Sequence, residues 1–295
     1  MPSVQALVTR FFMQRVLKPW LMSNDVMVTR KRFARLASPR RMVPAAIEPV
    51  DAGGVPAEWL TPRGVDPQRV LYYLHGGGFV ACSPATHRRL AARIARDAGM
   101  RSLLIDYRLA PEHPFPAALD DALAGYRFLL ASGIRPEHIV VAGDSAGGTL
   151  TLGLLLTLRD RGEPLPAAAI CISPATDMTQ SGESFASRHR EEAMLSQAFC
   201  RTIIPLYLPG MSEPNPLASP LHAQLHGLPP LLVHVGTHEL LFDDAARFVE
   251  VARAAGVDTA FKVWDGMWHV FHANDVPEAR TAVRELAEFA KARTA

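Results

Sequence analysis

From residue 70 onward, short apolar runs alternate with longer segments of helical periodicity, and no other feature restricts the fold as tightly. The runs Val70 to Leu74, Ser102 to Ile105, Ile139 to Ala142, Ala168 to Ile172, Leu231 to Val235 and Ala260 to Trp264 read as strands bounded by turn residues. Helical patterns fall between and after them, near Ala85 to Asp97, Pro116 to Ala131, Ala146 to Asp160, Asp243 to Ala255 and Pro277 to Ala292. Strands that are apolar throughout bury both faces, and a helix between consecutive strands lets them run parallel. The expectation is an α/β fold with a mostly parallel central sheet and helices on both faces. At 295 residues the chain exceeds the usual domain size, but such folds reach this length as one core with an insertion or cap.

Two segments break the alternation. Residues 1–45 begin with an amphipathic helical pattern, Val4, Leu7, Val8, Phe11 and Phe12, and residues 178–225 are rich in aromatic residues, Met and Pro. This divides the chain into an N-terminal segment (1–45), a core (46–177 and 226–295) and an insertion (178–225). Periodicity alone allows the two outlying segments to be either a cap over the strand ends or ordinary peripheral helices.

Composition removes several classes of function. Hydrophobic residues at 48% and charged residues at 20% describe a globular chain, and a net charge of +2 implies no polyanionic partner. Basic residues gather between Arg30 and Arg41, but no base-reading element follows, so the run reads as a solvated surface and no nucleic-acid partner is expected. Cys82, Cys171 and Cys200 have neither metal-site nor disulfide spacing, which suits a reducing compartment. The first twenty residues carry Arg10, Arg15 and Lys18 without a continuous apolar core or a cleavage site; a transit peptide fits less well than a cytoplasmic protein. Leu150 to Leu158, the longest apolar stretch, is too short and too interrupted to span a membrane, and no long membrane-docking surface is legible.

The chemistry concentrates in four places. Gly143-Asp144-Ser145-Ala146-Gly147-Gly148 follows the apolar run Ile139 to Ala142 and opens a helical pattern, the context of a nucleophile elbow. There Ser145 would occupy a strained turn, with small Gly143 and Gly147 two residues either side. His75-Gly76-Gly77-Gly78-Phe79 directly follows another strand; its glycines let backbone N–H groups approach a developing oxyanion, and the elbow adds the N–H of Ala146. The plain alternative for either motif is a glycine-rich turn. A base must lie further on, and His269, after the last strand in Gly266-Met267-Trp268-His269-Val270-Phe271, is placed better than His272. The orienting acid comes from Gly236-Thr237-His238-Glu239-Leu240-Leu241-Phe242-Asp243-Asp244: Glu239 at the strand end is expected, while Asp243 and Asp244 suit capping of the next helix. His238-Glu239 opens no zinc motif, because Phe242 occupies the second His position, so no metal or organic cofactor is expected.

In combination and in this order, these motifs resemble the hormone-sensitive-lipase family, family IV of the bacterial lipolytic enzymes. Asp106-Tyr107-Arg108-Leu109-Ala110-Pro111-Glu112-His113-Pro114-Phe115-Pro116-Ala117 completes the match, which extends over residues 66–292. The resemblance implies an α/β-hydrolase fold with a helical cap built from residues 1–45 and 178–225. It implies a carboxylic-ester hydrolase with Ser145 as nucleophile, His269 as base, and Gly76, Gly77 and Ala146 as oxyanion donors. Many members carry Asp-Pro-Leu at the acid position; Glu239-Leu240-Leu241 here resembles a Glu-using branch. The expected substrate is a short- to medium-chain acyl ester, with Phe11, Trp20, Phe199, Leu206 and Tyr207 lining an apolar pocket. A lipase on longer acyl glycerides and a ligand receptor on the same fold are the alternatives, and His269 speaks against the receptor. Arg108 and Glu112 would brace their loop, Cys82 sits near enough to the oxyanion loop for its modification to crowd it, and family members often form homodimers through segments matching Phe261 to Trp264 and Pro277 to Ala292.

Overall fold

A computed structural model describes residues 1–294. The chain opens with α1 (Val4–Phe12), which continues without a break through a π-helical turn at Met13–Leu17 into α2 (Lys18–Leu21); α3 (Val26–Ala34) follows. Ser3 caps α1 by accepting the Ala6 N–H, and Asp25 caps α3 by accepting from Met27 and Val28. Eight strands come next: β1 (Ala46–Asp51), β2 (Pro56–Thr61), β3 (Asp66–Leu74), β4 (Met100–Ile105), β5 (Ile139–Asp144), β6 (Ala168–Ile172), β7 (Leu231–Gly236) and β8 (Thr259–Trp264). They form one sheet in the order β1-β2-β4-β3-β5-β6-β7-β8. From β4 to β8 the neighbours pair in parallel, whereas β1 and β2 form an antiparallel hairpin against β4.

All six expected strands are present, and the hairpin is an addition. Its β1, Ala46-Ile-Glu-Pro-Val-Asp, lies at the sheet edge with no residue fully buried, so it lacks the apolar run that marks the others. The legible signal was the turn: Gly53 and Gly54 both take positive φ (74° and 89°), closed by Ala52 N–H to Val55 C=O at 2.8 Å. A two-residue glycine turn of this kind suits a hairpin because its twist matches that of the strands.

The helices between strands are α4 (Pro84–Ala98), α5 (Ala117–Ala131), α6 (Ala146–Asp160), α7 (Glu183–Ser187), α8 (Gln197–Tyr207), α9 (Phe242–Ala254) and α10 (Pro277–Arg293). Strand β3 shows how they divide. Val70, Tyr72 and Leu74 point into a core with Tyr126 of α5, Leu154 of α6 and Phe248 of α9, and Leu71 and Tyr73 point into another with Leu90 and Ile94 of α4 and Leu286 of α10. Burial on both faces explains the unbroken apolar character of the central strands. Helix α6 is buried from Ala146 to Leu158, which accounts for that long apolar stretch. Among the described residues no helix is long and apolar enough to cross a membrane.

Arg108 pairs with Asp121 (2.7 Å) and Glu112 with Arg30 of α3 (2.7 Å), so both side chains tie their loop to neighbouring elements. One detail differs from expectation. The apolar side chains of α1 singled out in the sequence point outward: Val4, Phe11 and Phe12 are more than half exposed, while Ala6 and Met13 occupy the inner face.

Candidate active site

The parallel strands end at one side of the sheet, and the loops that leave β3, β5, β7 and β8 meet there. Leaving β5, the backbone turns sharply into α6 at Ser145, with φ 54° and ψ −121°. A side chain in that conformation costs about 1–3 kcal/mol and persists only where the surroundings enforce it. Here they do. A Cβ on Gly147 would stand 2.0 Å from the Leu74 carbonyl oxygen, and one on Gly143 would stand 2.2 Å from the Gly147 carbonyl oxygen. Only glycine at both positions lets α6 start against β3, which turns Ser145 toward the cavity that it lines.

The loop leaving β3 is organised by Asp144. Its Oδ1 accepts the Tyr73 hydroxyl at 2.8 Å and the Gly76 N–H at 3.2 Å, and its Oδ2 meets His87 Nε2 at 3.3 Å. Burial by itself would raise the Asp144 pKa; the charge and hydrogen bond of His87, aided by Tyr73, bring it below the ordinary carboxylate value. Tyr107 stacks on His75, ring centroids 4.1 Å apart, and donates its hydroxyl to the His75 carbonyl at 2.7 Å. The next two glycines carry positive φ, 118° at Gly77 and 63° at Gly78.

One expectation is corrected by this geometry. Gly76 was expected as an oxyanion donor, but its N–H is directed to the buried Asp144 carboxylate and the residue is absent from the cavity wall. Gly77, Gly78 and Ala146 do line the cavity, and their N–H groups make no hydrogen bond among the described residues.

The loop after β8 carries His269, whose Nδ1 lies 3.0 Å from Oε2 of Glu239, in the loop after β7. Glu239 is fully buried, and its other oxygen accepts the Ser173 hydroxyl at 2.7 Å and the Gly236 N–H at 2.6 Å. Ser173 also accepts the Val270 N–H at 3.2 Å, so one hydroxyl ties the acid to the residue beside the imidazole. Sequence reasoning missed this role: Ser173 ends a strand in an ordinary Ser-Pro pair, and only the positive φ of 49° marks it. Burial disfavours the charged form of His269, yet the hydrogen bond and charge of Glu239, with Glu192 and Asp144 beyond, hold its pKa above the ordinary 6.5. Glu192 is the second residue that sequence did not reveal. It is fully buried, accepts the N–H groups of Met194 (2.7 Å) and Leu240 (3.3 Å), and has its pKa raised by burial.

The rival residues lie elsewhere. His272 is fully buried, 3.2 Å from His234, outside the cavity, and burial together with His234 pushes its pKa well down. Asp243 and Asp244 stand in the first turn of α9 without capping it. Their carboxylates accept from other loops instead, Asp243 from the Ser184 N–H (2.7 Å) and Asp244 from Thr176 and Asp177 (both 2.9 Å).

Ser145 and His269 open onto the same cavity of about 370 Å³. Its wall includes Met13, Leu17 and Phe33 from the N-terminal segment and Phe199, Ile203 and Tyr207 from α8. Of the apolar residues expected there, Phe199 and Tyr207 take part; Phe11 and Trp20 face outward and Leu206 lies outside the wall. Cys82 borders the cavity, and burial, with Asp144 adding its charge, pushes the thiol far above its ordinary pKa, so little nucleophilic thiolate is present. Among the described residues no cluster of His, Cys, Asp and Glu could hold a metal ion.

A doubly wound sheet with a serine on a strained strand-to-helix turn and a buried carboxylate–histidine pair beside it defines the α/β-hydrolase class. The family model described as "alpha/beta hydrolase fold" matches residues 71–273. An acetyl-hydrolase of Streptomyces hygroscopicus is 44% identical over 247 residues, covering 83% of this chain and 82% of that protein. An esterase of Acinetobacter venetianus is 39% identical, covering 83% and 81%. The crystal structure of an esterase from the bacterial hormone-sensitive lipase family superposes with a TM-score of 0.94 at 42% identity over the whole of both chains. The chain belongs to the α/β-hydrolase fold family and, within it, to the bacterial hormone-sensitive-lipase group. It is a carboxylic-ester hydrolase.

Proposed function

We propose that the enzyme cleaves short- to medium-chain acyl esters with Ser145 as nucleophile, His269 as general base and Glu239 as the orienting acid. The observation that carries this reading is the fully buried Glu239 held 3.0 Å from His269, whose ring opens onto the cavity that also receives Ser145. Because Oε2 of Glu239 accepts a hydrogen bond from Nδ1–H, the ring proton stays on Nδ1 and Nε2 is left with the lone pair that a base needs. Ser145 Oγ attacks the ester carbonyl as its proton passes to Nε2, and the carbonyl oxygen becomes an oxyanion facing the free N–H groups of Gly77, Gly78 and Ala146. Collapse expels the alcohol, which takes the proton from His269, and leaves an acyl group on Ser145. Water then attacks that carbonyl, giving its proton to His269, and the free acid and the serine hydroxyl are restored. Among the described residues Ser145 Oγ makes no hydrogen bond to His269, and a contact of this kind tightens as a substrate seats.

Residues 1–45 and 178–225 act as the cap, supported by their joint contribution to the cavity wall. A cavity of about 370 Å³ with a mostly apolar wall suits a modest acyl chain, and the name acetyl-hydrolase on a relative 44% identical points the same way. A cytoplasmic location fits three cysteines that are all unpaired. A homodimer through β8 and α10 is favoured by β8 lying at the sheet edge with Lys262 and Val263 exposed. The decisive experiment replaces Ser145 by Ala and follows p-nitrophenyl acetate and butyrate. Hydrolysis should vanish while circular dichroism and melting stay native; a variant that still turns over would sink the assignment of the nucleophile.

A further inference from the structure

Among the described residues, eleven of the thirteen large apolar side chains that stand exposed lie within residues 1–42. On α1 and the turns that continue it, they form one stripe at helical spacing: Val4, Leu7, Val8, Phe11, Phe12 and Val16, with Trp20 one turn beyond. The opposite face holds Ala6, Met13 and Leu21, buried, and Leu17, partly buried. This helix therefore has two apolar faces, of which the bulkier is turned to solvent. An uncovered apolar stripe of this size marks an interaction surface.

Charge distinguishes among occupants. Residues 1–42 contain nine Arg and Lys against a single acid, Asp25, so the segment carries +8 within a chain of +2, and the rest of the molecule carries −6. Some of these cations turn inward, as Arg30 does to Glu112. Arg15, Lys31 and Arg35 are exposed and form no salt bridge among the described residues, and Arg32 stacks over the Trp20 ring at 5.9 Å. Two such segments brought face to face would repel, whereas an anionic surface with an apolar interior satisfies both the cations and the stripe. Aromatic and aliphatic residues on one face of a helix, with basic residues beside them, are what an interfacial helix presents to a bilayer.

We propose that residues 1–42 dock the enzyme peripherally on anionic lipid, with the outer face of α1 in the interface. The inner face of the same segment supplies Met13, Leu17 and Phe33 to the cavity wall. Docking consequently sets the ester-binding cavity one helix away from the lipid, where apolar esters partition.

The test is co-sedimentation of the full chain with vesicles of phosphatidylglycerol mixed with phosphatidylcholine, and of phosphatidylcholine alone. Binding should require the anionic lipid and fall as salt is added. Replacing Arg15, Lys31 and Arg35 together by Glu should lower partitioning by about tenfold or more, since each cation near such a surface is worth roughly fivefold. Val8→Gln with Phe12→Gln should do the same by removing buried apolar area. None of these five side chains lines the cavity, so hydrolysis of p-nitrophenyl butyrate in solution should be unchanged in both variants, which certifies their folding. A wild-type protein that stays in the supernatant, or variants that bind as well as it does, would overturn the proposal. So would a dimer that Val8→Gln with Phe12→Gln dissociates in the absence of vesicle binding, which would make the stripe a self-association surface. Vesicle binding is read without catalysis, so it stands apart from the assignment of Ser145, Glu239 and His269.

Discussion

Replacing Glu239 by Gln alters the site by one atom, and the surroundings determine which way the new amide points. Glu239 Oε1 accepts the Gly236 N–H at 2.6 Å, a donor fixed in the backbone, and also the Ser173 hydroxyl. The amide oxygen of Gln must therefore stay on that side, because turning it would set NH₂ against N–H in a fully buried place. The NH₂ then faces His269 Nδ1 and donates to it, so the imidazole must carry its own proton on Nε2. In that tautomer it cannot take the proton of Ser145. The corresponding Asp→Asn change in a serine-protease triad lowers kcat about 10⁴-fold, or ~5.4 kcal/mol in the barrier. The loss should fall on kcat for p-nitrophenyl butyrate, with KM little altered, since Glu239 does not line the cavity. The pH profile supplies a second readout. Neutral His269 is the active form, so kcat/KM climbs as pH rises through its pKa, which Glu239 holds above 6.5. In the variant the residual activity should climb at lower pH than in the wild type. A loss under tenfold, or a greater loss in Asp243→Asn than in Glu239→Gln, would refute the reasoning.

Gly147→Ala should destabilise the fold by about 3 kcal/mol or more, because its Cβ would stand 2.0 Å from the Leu74 carbonyl oxygen and backbone must move on both sides; an unchanged urea midpoint would contradict this. Asp244 tests burial electrostatically. Burial, with the charge of Asp177 adding to it and the N–H groups of Asp177 and Thr176 opposing it, raises its pKa from 3.8 to about 7. A carboxyl whose folded pKa is raised stabilises the protein below its unfolded pKa, and that stability is lost as pH rises to about 7, on the order of 4 kcal/mol in all. Asp244→Asn should flatten the decline of Tm over that range, and parallel Tm profiles for variant and wild type would show the carboxyl to be ionised throughout.

The sequence alone went far with the core and with the reaction class. The central strands were legible because burial on both faces leaves uninterrupted apolar runs, and β5 to α6 because its glycines are compelled by contacts under 2.5 Å. The hairpin β1–β2 was not, since β1 at the sheet edge buries no residue and β2 beside it is buried only in part, so neither carries an unbroken apolar run. The imidazole at His269 could be separated from His272 by order along the chain, yet its tautomer depends on Glu239, whose second oxygen is fixed by Ser173 from a different strand end. Nothing local to residue 173 encodes that partnership, and nothing local to Gly76 says that its N–H belongs to Asp144.

The N-terminal segment marks the same boundary from the other side. Periodicity correctly announced an amphipathic helix at Val4, Leu7, Val8, Phe11 and Phe12, but a repeat of 3.6 residues states only that one face is apolar. Whether that face turns to the core or to solvent is settled by what packs against it, and here Ala6, Met13 and Leu17 hold the inner side. Spacing along the chain determined the central strands and the glycine turn at Ser145, and it singled out the candidate serine, acid and histidine, because those signals follow from local conformation. The partners of each buried polar atom and the outward aim of α1 were decided only when distant segments met, because hydrogen bonds and packing act across space.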